Sequence, residues 1–150
     1  NFAVPRETGM DYLDRVETDW AFRIQLPIGS RVPFHCTASG KTFLASLPMA
    51  KLKSFLATLH LQAMTKNTHV SPATLLAEIA QVRKNGYSLD QEEFMDNMVA
   101  IAVPVTDPKN RYIAALAFHG PTQRVNIPDA IKSKDLLQSA ARRISESLFA

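Results

Sequence analysis

Two apolar runs in the second half of this 150-residue chain constrain its fold most tightly. Val99 to Val105 and Tyr112 to His119 are rich in β-branched, aromatic and small apolar residues. The segment Asp107-Pro108-Lys109-Asn110 between them suits a tight turn. They predict an antiparallel hairpin. Side chains alternate along a strand, so Val99, Ile101, Val103 and Val105 share one face of the first run, and Ala100 and Ala102 the other. In the second run Tyr112, Ala114, Leu116 and Phe118 alternate with Ile113, Ala115, Ala117 and His119. Hairpin register allows the alanine faces to coincide without compelling it. If they do, the sheet has one bulky face and one shallow face ending in an imidazole. A shallow face leaves room for a ligand or for the close approach of a helix.

The rest of the chain supplies strands before and helices around this hairpin. Tyr12, Leu13 and Val16, and then Trp20, Phe22, Ile24 and Leu26 alternating with Arg23 and Gln25, read as strands. Pro27, Gly29, Ser30 and Pro33 punctuate a loop, and helix-forming spacing follows from His35 to Leu47. Pro48 suits the first turn of a helix carrying Leu52, Phe55, Leu56 and Leu59 on one face. Ser71-Pro72 starts a further helix that ends at Gly86 and buries Leu75, Ile79 and Val82. A last helix runs from about Pro128 to Phe149, with Leu137, Ala141, Ile144 and Leu148 on one face. This order predicts an α+β domain, a largely antiparallel sheet flanked by helices.

Composition narrows the functional classes. With 46% hydrophobic and 21% charged residues and no apolar run long enough for a membrane span, the chain reads as one soluble globular domain, long enough to bury about 70% of its unfolded surface. The lone Cys36 excludes an internal disulfide framework and fits a reducing, cytoplasmic compartment. The first twenty residues carry five acidic side chains against Arg6 and Arg15, leaving fifteen basic and nine acidic groups spread singly over the remainder. The pairs Arg83-Lys84 and Arg142-Arg143 fall on helices as solvated charges, so direct nucleic-acid binding is not expected of this chain. It begins at Asn1 rather than Met and reads as a piece excised from something longer.

Several short motifs carry possible chemistry. Gly40-Lys41-Thr42 imitates the end of a phosphate loop, but the earlier glycine that such a loop needs would fall at His35, so nucleotide binding is rejected. His35, His60 and His69 lack metal-ligand spacing, and neither a metal nor a cofactor is expected. Glu92, Glu93 and Asp96 read as a solvated helix face. Where the irregular segment after Pro33 enters a helix, the N–H groups near Ala38, Ser39 and Gly40 lack intrahelical partners and sit at the positive end of the helix dipole. They suit a carboxylate, and small side chains leave it access. The alternative is that Thr37 and Ser39 cap the helix while Gly40 permits tight packing.

The stretch from Gly29 to Ala45, Gly-Ser-Arg-Val-Pro-Phe-His-Cys-Thr-Ala-Ser-Gly-Lys-Thr-Phe-Leu-Ala, closely resembles the signature of the effector-binding domain of IclR-type transcriptional regulators. The similarity continues through Gly86-Tyr87-Ser88-Leu89-Asp90-Gln91-Glu92-Glu93, Ala102-Val103-Pro104-Val105 and Gly120-Pro121. It covers nearly the whole chain. The resemblance implies a GAF-like fold over residues 1–150, preceded in the intact regulator by a winged helix-turn-helix domain absent from this chain. It also implies assembly as a homodimer or a dimer of dimers, with operator DNA reached only through the missing domain. Carried over by position, Ala38 and Ser39 match the effector-contacting turn, Asp90 an acidic residue lining the pocket, and Ala100, Ala117 and His119 its sheet-borne wall. Members that answer to small keto acids often place a thiol or hydroxyls at those last three positions. Two methyl groups and an imidazole make a wider, less polar wall here, which favours a bulkier, aromatic carboxylic acid over glyoxylate or pyruvate.

The expected function is therefore sensing of a small carboxylate effector, without catalysis, by a domain that controls DNA binding elsewhere in the protein. Two other readings compete with it. One is a cofactor-free hydrolase using Cys36 as nucleophile with His119 and Asp90. The other is a purely architectural dimerisation domain.

Overall fold

In the computed structural model, residues 1–21 and 26–150 are described. The strand expected across 20–26 has its centre, Phe22 to Gln25, outside the described residues. The described strands are β1 (Phe2–Pro5), β2 (Met10–Asp14), β3 (Arg31–Val32), β4 (Ser88–Gln91), β5 (Met98–Thr106) and β6 (Tyr112–Pro121), and they form one sheet in the order β3-β2-β1-β6-β5-β4. Every pairing is antiparallel. The described helices are α1 (Ala38–Ser46), α2 (Met49–Thr58), α3 (Pro72–Asn85), α4 (Ile127–Lys132) and α5 (Lys134–Leu148). The architecture is the α+β one expected.

The hairpin register brings the alanine faces together. Ala100 pairs with His119, Ala102 with Ala117, and Pro104 with Ala115, while Ile101 pairs with Phe118 and Val103 with Leu116. Directly paired residues share a face, so the sheet has a small-residue side and a bulky side. The Asp107 carboxylate closes the turn by accepting from the N–H groups of Lys109 and Arg111, and Asn110 takes the left-handed conformation. Helices segregate by face. The start of α1 packs on the small side, where Ala38 clusters with Ala100, Ala102 and Ala117. Helices α4 and α5 cover the bulky side, with Val99 and Ile101 against Val125 and Ala130, and Val103 and Val105 against Ala141.

Local signals explain the helix boundaries. The Thr37 hydroxyl accepts from Gly40 N–H at 3.0 Å and donates to the Pro33 carbonyl at 2.7 Å, fixing the entry to α1. Leu47 is extended, as expected before Pro48, and ends that helix. Pro48 stands at the cap of α2, one residue outside the helix, rather than in its first turn. Ser71 caps α3 and Gly86, at φ 77°, closes it as predicted. Arg83 is not merely solvated: its guanidinium donates to the carbonyls of Ala45 and Leu47 at the end of α1. The last helix is broken at Ser133, and Leu148 is exposed instead of joining Leu137, Ala141 and Ile144 against the sheet. Gly40 is irreplaceable for a steric reason. A Cβ there would lie 2.4 Å from the Cα and carbonyl oxygen of Phe34. Phe34 in turn anchors an aromatic cluster with Phe43 and Phe55, at ring separations of 5.2 and 5.3 Å.

Candidate functional site

The small-residue face continues beyond the hairpin. Ser88 pairs with Ala102 and Asp90 with Ala100 on one side, and Ala3 pairs with Ala115 and with Tyr12 on the other. The result is a floor of Ala3, Ala115, Ala117, Ala100 and Ala102 with polar side chains at both margins. The start of α1 lies over it. Ser88 ties the two layers together by donating its buried hydroxyl to the Ala38 carbonyl. Of the residues expected at the site, Ala38, Ser39, Asp90, Ala100 and Ala117 are buried, with Ala38 packed directly on Ala100 and Ala117, and His119 is half-buried at the edge of this contact. The ring nitrogen Nδ1 of His119 is 2.9 Å from the Asn1 amide nitrogen.

The three amides proposed for an anion divide unequally. Gly40 N–H is taken by the Thr37 hydroxyl, and Lys41 N–H by the Thr37 carbonyl. The N–H groups of Ala38 and Ser39 meet no acceptor among the described residues. Gly40 thus fulfils the packing role and the cap is Thr37, while the two residues between them keep donors at the positive end of α1.

Asp90 has the most unusual environment. It is 1% exposed; its Oδ1 accepts from Glu93 N–H at 2.8 Å, and its Oδ2 is buried with no hydrogen-bond partner. Burial pushes this carboxyl up to about 7, against the opposing effect of the Glu93 N–H and with a further push from the nearby Glu93 carboxylate. An unsatisfied buried oxygen costs on the order of 1–3 kcal/mol, a cost that a ligand donor can relieve.

Cys36 is fully buried, and its thiol is pushed up to about 12 by burial and then by Asp90. It behaves as a small apolar residue, which removes the thiolate a hydrolase would need. Lys41 is buried despite its charge. Its side chain has no exposure, and its ammonium binds Glu93 at 2.9 Å and Glu78 at 3.0 Å. Glu93 is consequently buried in the loop after β4 rather than solvated on a helix. His69, Glu78 and Glu93 bring ligand-type atoms within 4.8 Å of one another, but the Lys41 ammonium already supplies positive charge to both carboxylates. His35 is buried as well, with Nε2 2.8 Å from the Gln62 carbonyl. Trp20 packs against Gly120 and lies under the Arg124 guanidinium at 5.4 Å, a sheet-packing role.

A helix start lies over a small-residue sheet floor, with an unsatisfied buried carboxyl at the margin. The chain belongs to the bacterial transcriptional regulator IclR C-terminal family, whose model matches residues 1–146. It is 43% identical over 116 residues to the probable transcriptional regulator SauR of Cupriavidus necator, which covers 77% of this chain and 46% of that protein. It is 30% identical over 148 residues to the transcriptional repressor AllR of Escherichia coli, covering 99% of this chain and 55% of the repressor. The chain spans about half the length of these curated relatives. Among solved structures, the Thermotoga maritima IclR superposes with a TM-score of 0.91 at 28% identity, over 99% of this chain and 60% of that one. The inducer-binding domain of a PobR double mutant from Acinetobacter, in complex with 3-hydroxybenzoic acid, superposes at 0.88 and 28% identity, over 96% of this chain and 85% of that one.

Among the described residues, no helix is long and apolar enough to cross a membrane. The relatives carry the names of transcriptional regulators rather than of enzymes.

Proposed function

We propose that residues 1–150 sense a small carboxylic acid, aromatic rather than a short keto acid, and thereby control DNA binding by a winged helix-turn-helix domain that lies outside this chain. The carboxylate sits against the N–H groups of Ala38 and Ser39. Asp90 and His119 read polar groups at the far end of the ligand, and the methyl groups of Ala100 and Ala117 give its ring a flat apolar wall. The observation that carries this reading is the buried, partnerless Oδ2 of Asp90 beside the alanine floor. The Acinetobacter inducer-binding domain, of similar fold, holds a hydroxybenzoic acid, which supports the aromatic class. The regulator acts in the cytoplasm as a homodimer or a dimer of dimers, and the ligand shifts operator occupancy by binding one arrangement of the subunits more tightly than another.

Thermal melting of the domain against benzoate, 3-hydroxybenzoate, 4-hydroxybenzoate, glyoxylate and pyruvate tests the reading. At a hundredfold excess over Kd a ligand stabilises by about 2.7 kcal/mol, readily seen as a shift in Tm. Aromatic acids should raise Tm more than the keto acids. An unchanged melting curve with every acid, by a chain that is otherwise folded, would favour the architectural reading instead.

A further inference from the structure

A cavity beside β6 borders two residues that the sensing role already uses. β2 ends at Asp14, whose carboxylate accepts from Arg15 N–H at 2.8 Å, and there the chain leaves the sheet. Asp14 pairs with Phe2, and Phe2 with Leu116, so this exit lies close to the middle of β6. Arg15, Glu17 and Trp20 line the cavity together with Ala117 and His119 of β6. Ala117 also belongs to the cluster that receives Ala38 at the start of α1. The cavity has a volume of about 80 Å³. A buried benzene ring occupies a cavity of ~150 Å³, so the smaller space suits one compact polar group and not a ring.

Arg15 gives this space its chemistry. Its side chain is 19% exposed, and its guanidinium is anchored by donating to the Leu26 carbonyl. Its Nη2 lies 2.5 Å from Oε1 of Glu17, whose own side chain is 42% exposed. A guanidinium carries five N–H donors in a planar fork that fits a carboxylate through two of them at once. An ion pair with one partner largely in water contributes little, because solvent and salt screen it. An anion enclosed in the cavity is screened less. Glu17 can therefore yield its place to such an anion and turn its carboxylate into solvent.

We propose that Arg15 is the second anchor of the effector: its guanidinium takes an acidic group at the end of the ligand that lies against His119, displacing Glu17. The inference rests on the sensing role above and narrows the ligand class. The effector carries two acidic groups at opposite ends of its apolar body, one for the amides of Ala38 and Ser39 and one for Arg15.

Calorimetric titration of the 150-residue chain with benzoate and with benzene-1,3-dicarboxylate tests the proposal, the ratio of the two affinities being the quantity read. The wild type should prefer the diacid by about 10- to 100-fold, the worth of a hydrogen bond to a charged group. Arg15→Gln should abolish that preference, and Arg15→Lys, which keeps the charge and loses the fork, should retain part of it. Glu17→Gln removes the competing carboxylate and should raise the preference by about 2- to 5-fold. Circular dichroism spectra and melting midpoints verify the fold of each variant. Opposite effects at Arg15 and Glu17 separate a ligand anchor from a structural ion pair, which either substitution would disrupt alike. A wild type without preference for the diacid, or a preference that survives Arg15→Gln, would overturn the inference and leave the sensing role intact. A preference lowered by both Arg15→Gln and Glu17→Gln would mark the pair as structural and equally overturn it. Absence of heat from the wild type with both acids would overturn the sensing role itself and this inference with it.

Discussion

Asp90→Asn isolates the electrostatic cost of the site's central carboxyl. In the folded domain this group titrates at about 7, against an ordinary value of 3.8. Between those two values the native state keeps a proton that the unfolded chain has released. Folding stability from this group is therefore highest below about pH 4 and falls as pH rises through the window to 7. A rise of about three units corresponds, at 1.36 kcal/mol each, to a loss of up to about 4 kcal/mol by pH 8. Asparagine has no charge to desolvate, and its carbonyl can still accept from Glu93 N–H. Its amide nitrogen inherits the partnerless position of Oδ2, but that penalty is the same at every pH. Urea unfolding of both proteins at pH 4.5 and pH 8 separates the two contributions. The variant should gain on the wild type by about 2–4 kcal/mol between the two pH values, with unchanged m values. A stability difference that does not change with pH would refute the claim that Asp90 is held near neutrality by burial.

Other parts of the site give independent tests. Gly40→Ala should destabilise by about 2–3 kcal/mol, because backbone atoms of Phe34 cannot yield to the new methyl group; a loss below about 0.5 kcal/mol in denaturant unfolding would contradict the close approach. Lys41→Met leaves Glu93 buried without its cation and should cost about 3–5 kcal/mol, whereas Lys53→Ala on the exposed face of α2 should change stability by less than about 0.5 kcal/mol. Thr37→Ala should cost about 1 kcal/mol by freeing Gly40 N–H at the start of α1, read from the same unfolding curves. Cys36 should resist iodoacetamide in the native domain at pH 8 and react readily in urea; comparable rates in both would argue against its buried, protonated state.

The parts of the fold legible in sequence were those with long, regular signals. The β5–β6 hairpin announced itself by two extended apolar runs and a turn whose aspartate carries out the expected bonding. Helix α3 had a cap, an N-terminal proline and a terminal glycine. Short strands were hidden for specific reasons. β1 is four residues long and ends in Pro5, and β3 has only two residues. β4 turns Ser88 and Asp90 inward, so its buried side reads as polar and the usual alternation is inverted. The break at Ser133 is not legible in sequence because a helix-like spacing of apolar residues runs intact across it.

The site was legible only in part. Alternation put Ala117 and His119 on one face of their strand and Ala100 on one face of its own, the hairpin register brought those faces together, and the irregular entry to α1 pointed to the open amides. Family resemblance, not periodicity, supplied Asp90. The role of Gly40 in packing needed the position of Phe34, six residues earlier but folded back against it. Glu93 looked like a solvated charge because its partner Lys41 lies 52 residues away and no local pattern links them.

The central claim is that an aromatic acid docks its carboxylate on the N–H groups at the start of α1. A ¹⁵N-resolved NMR titration of the domain with 3-hydroxybenzoate measures those groups directly. The account predicts the largest amide shifts at Ala38 and Ser39, saturating in step with shifts at Asp90 and Ala100. Saturable shifts centred elsewhere, with Ala38 and Ser39 unmoved, would contradict it.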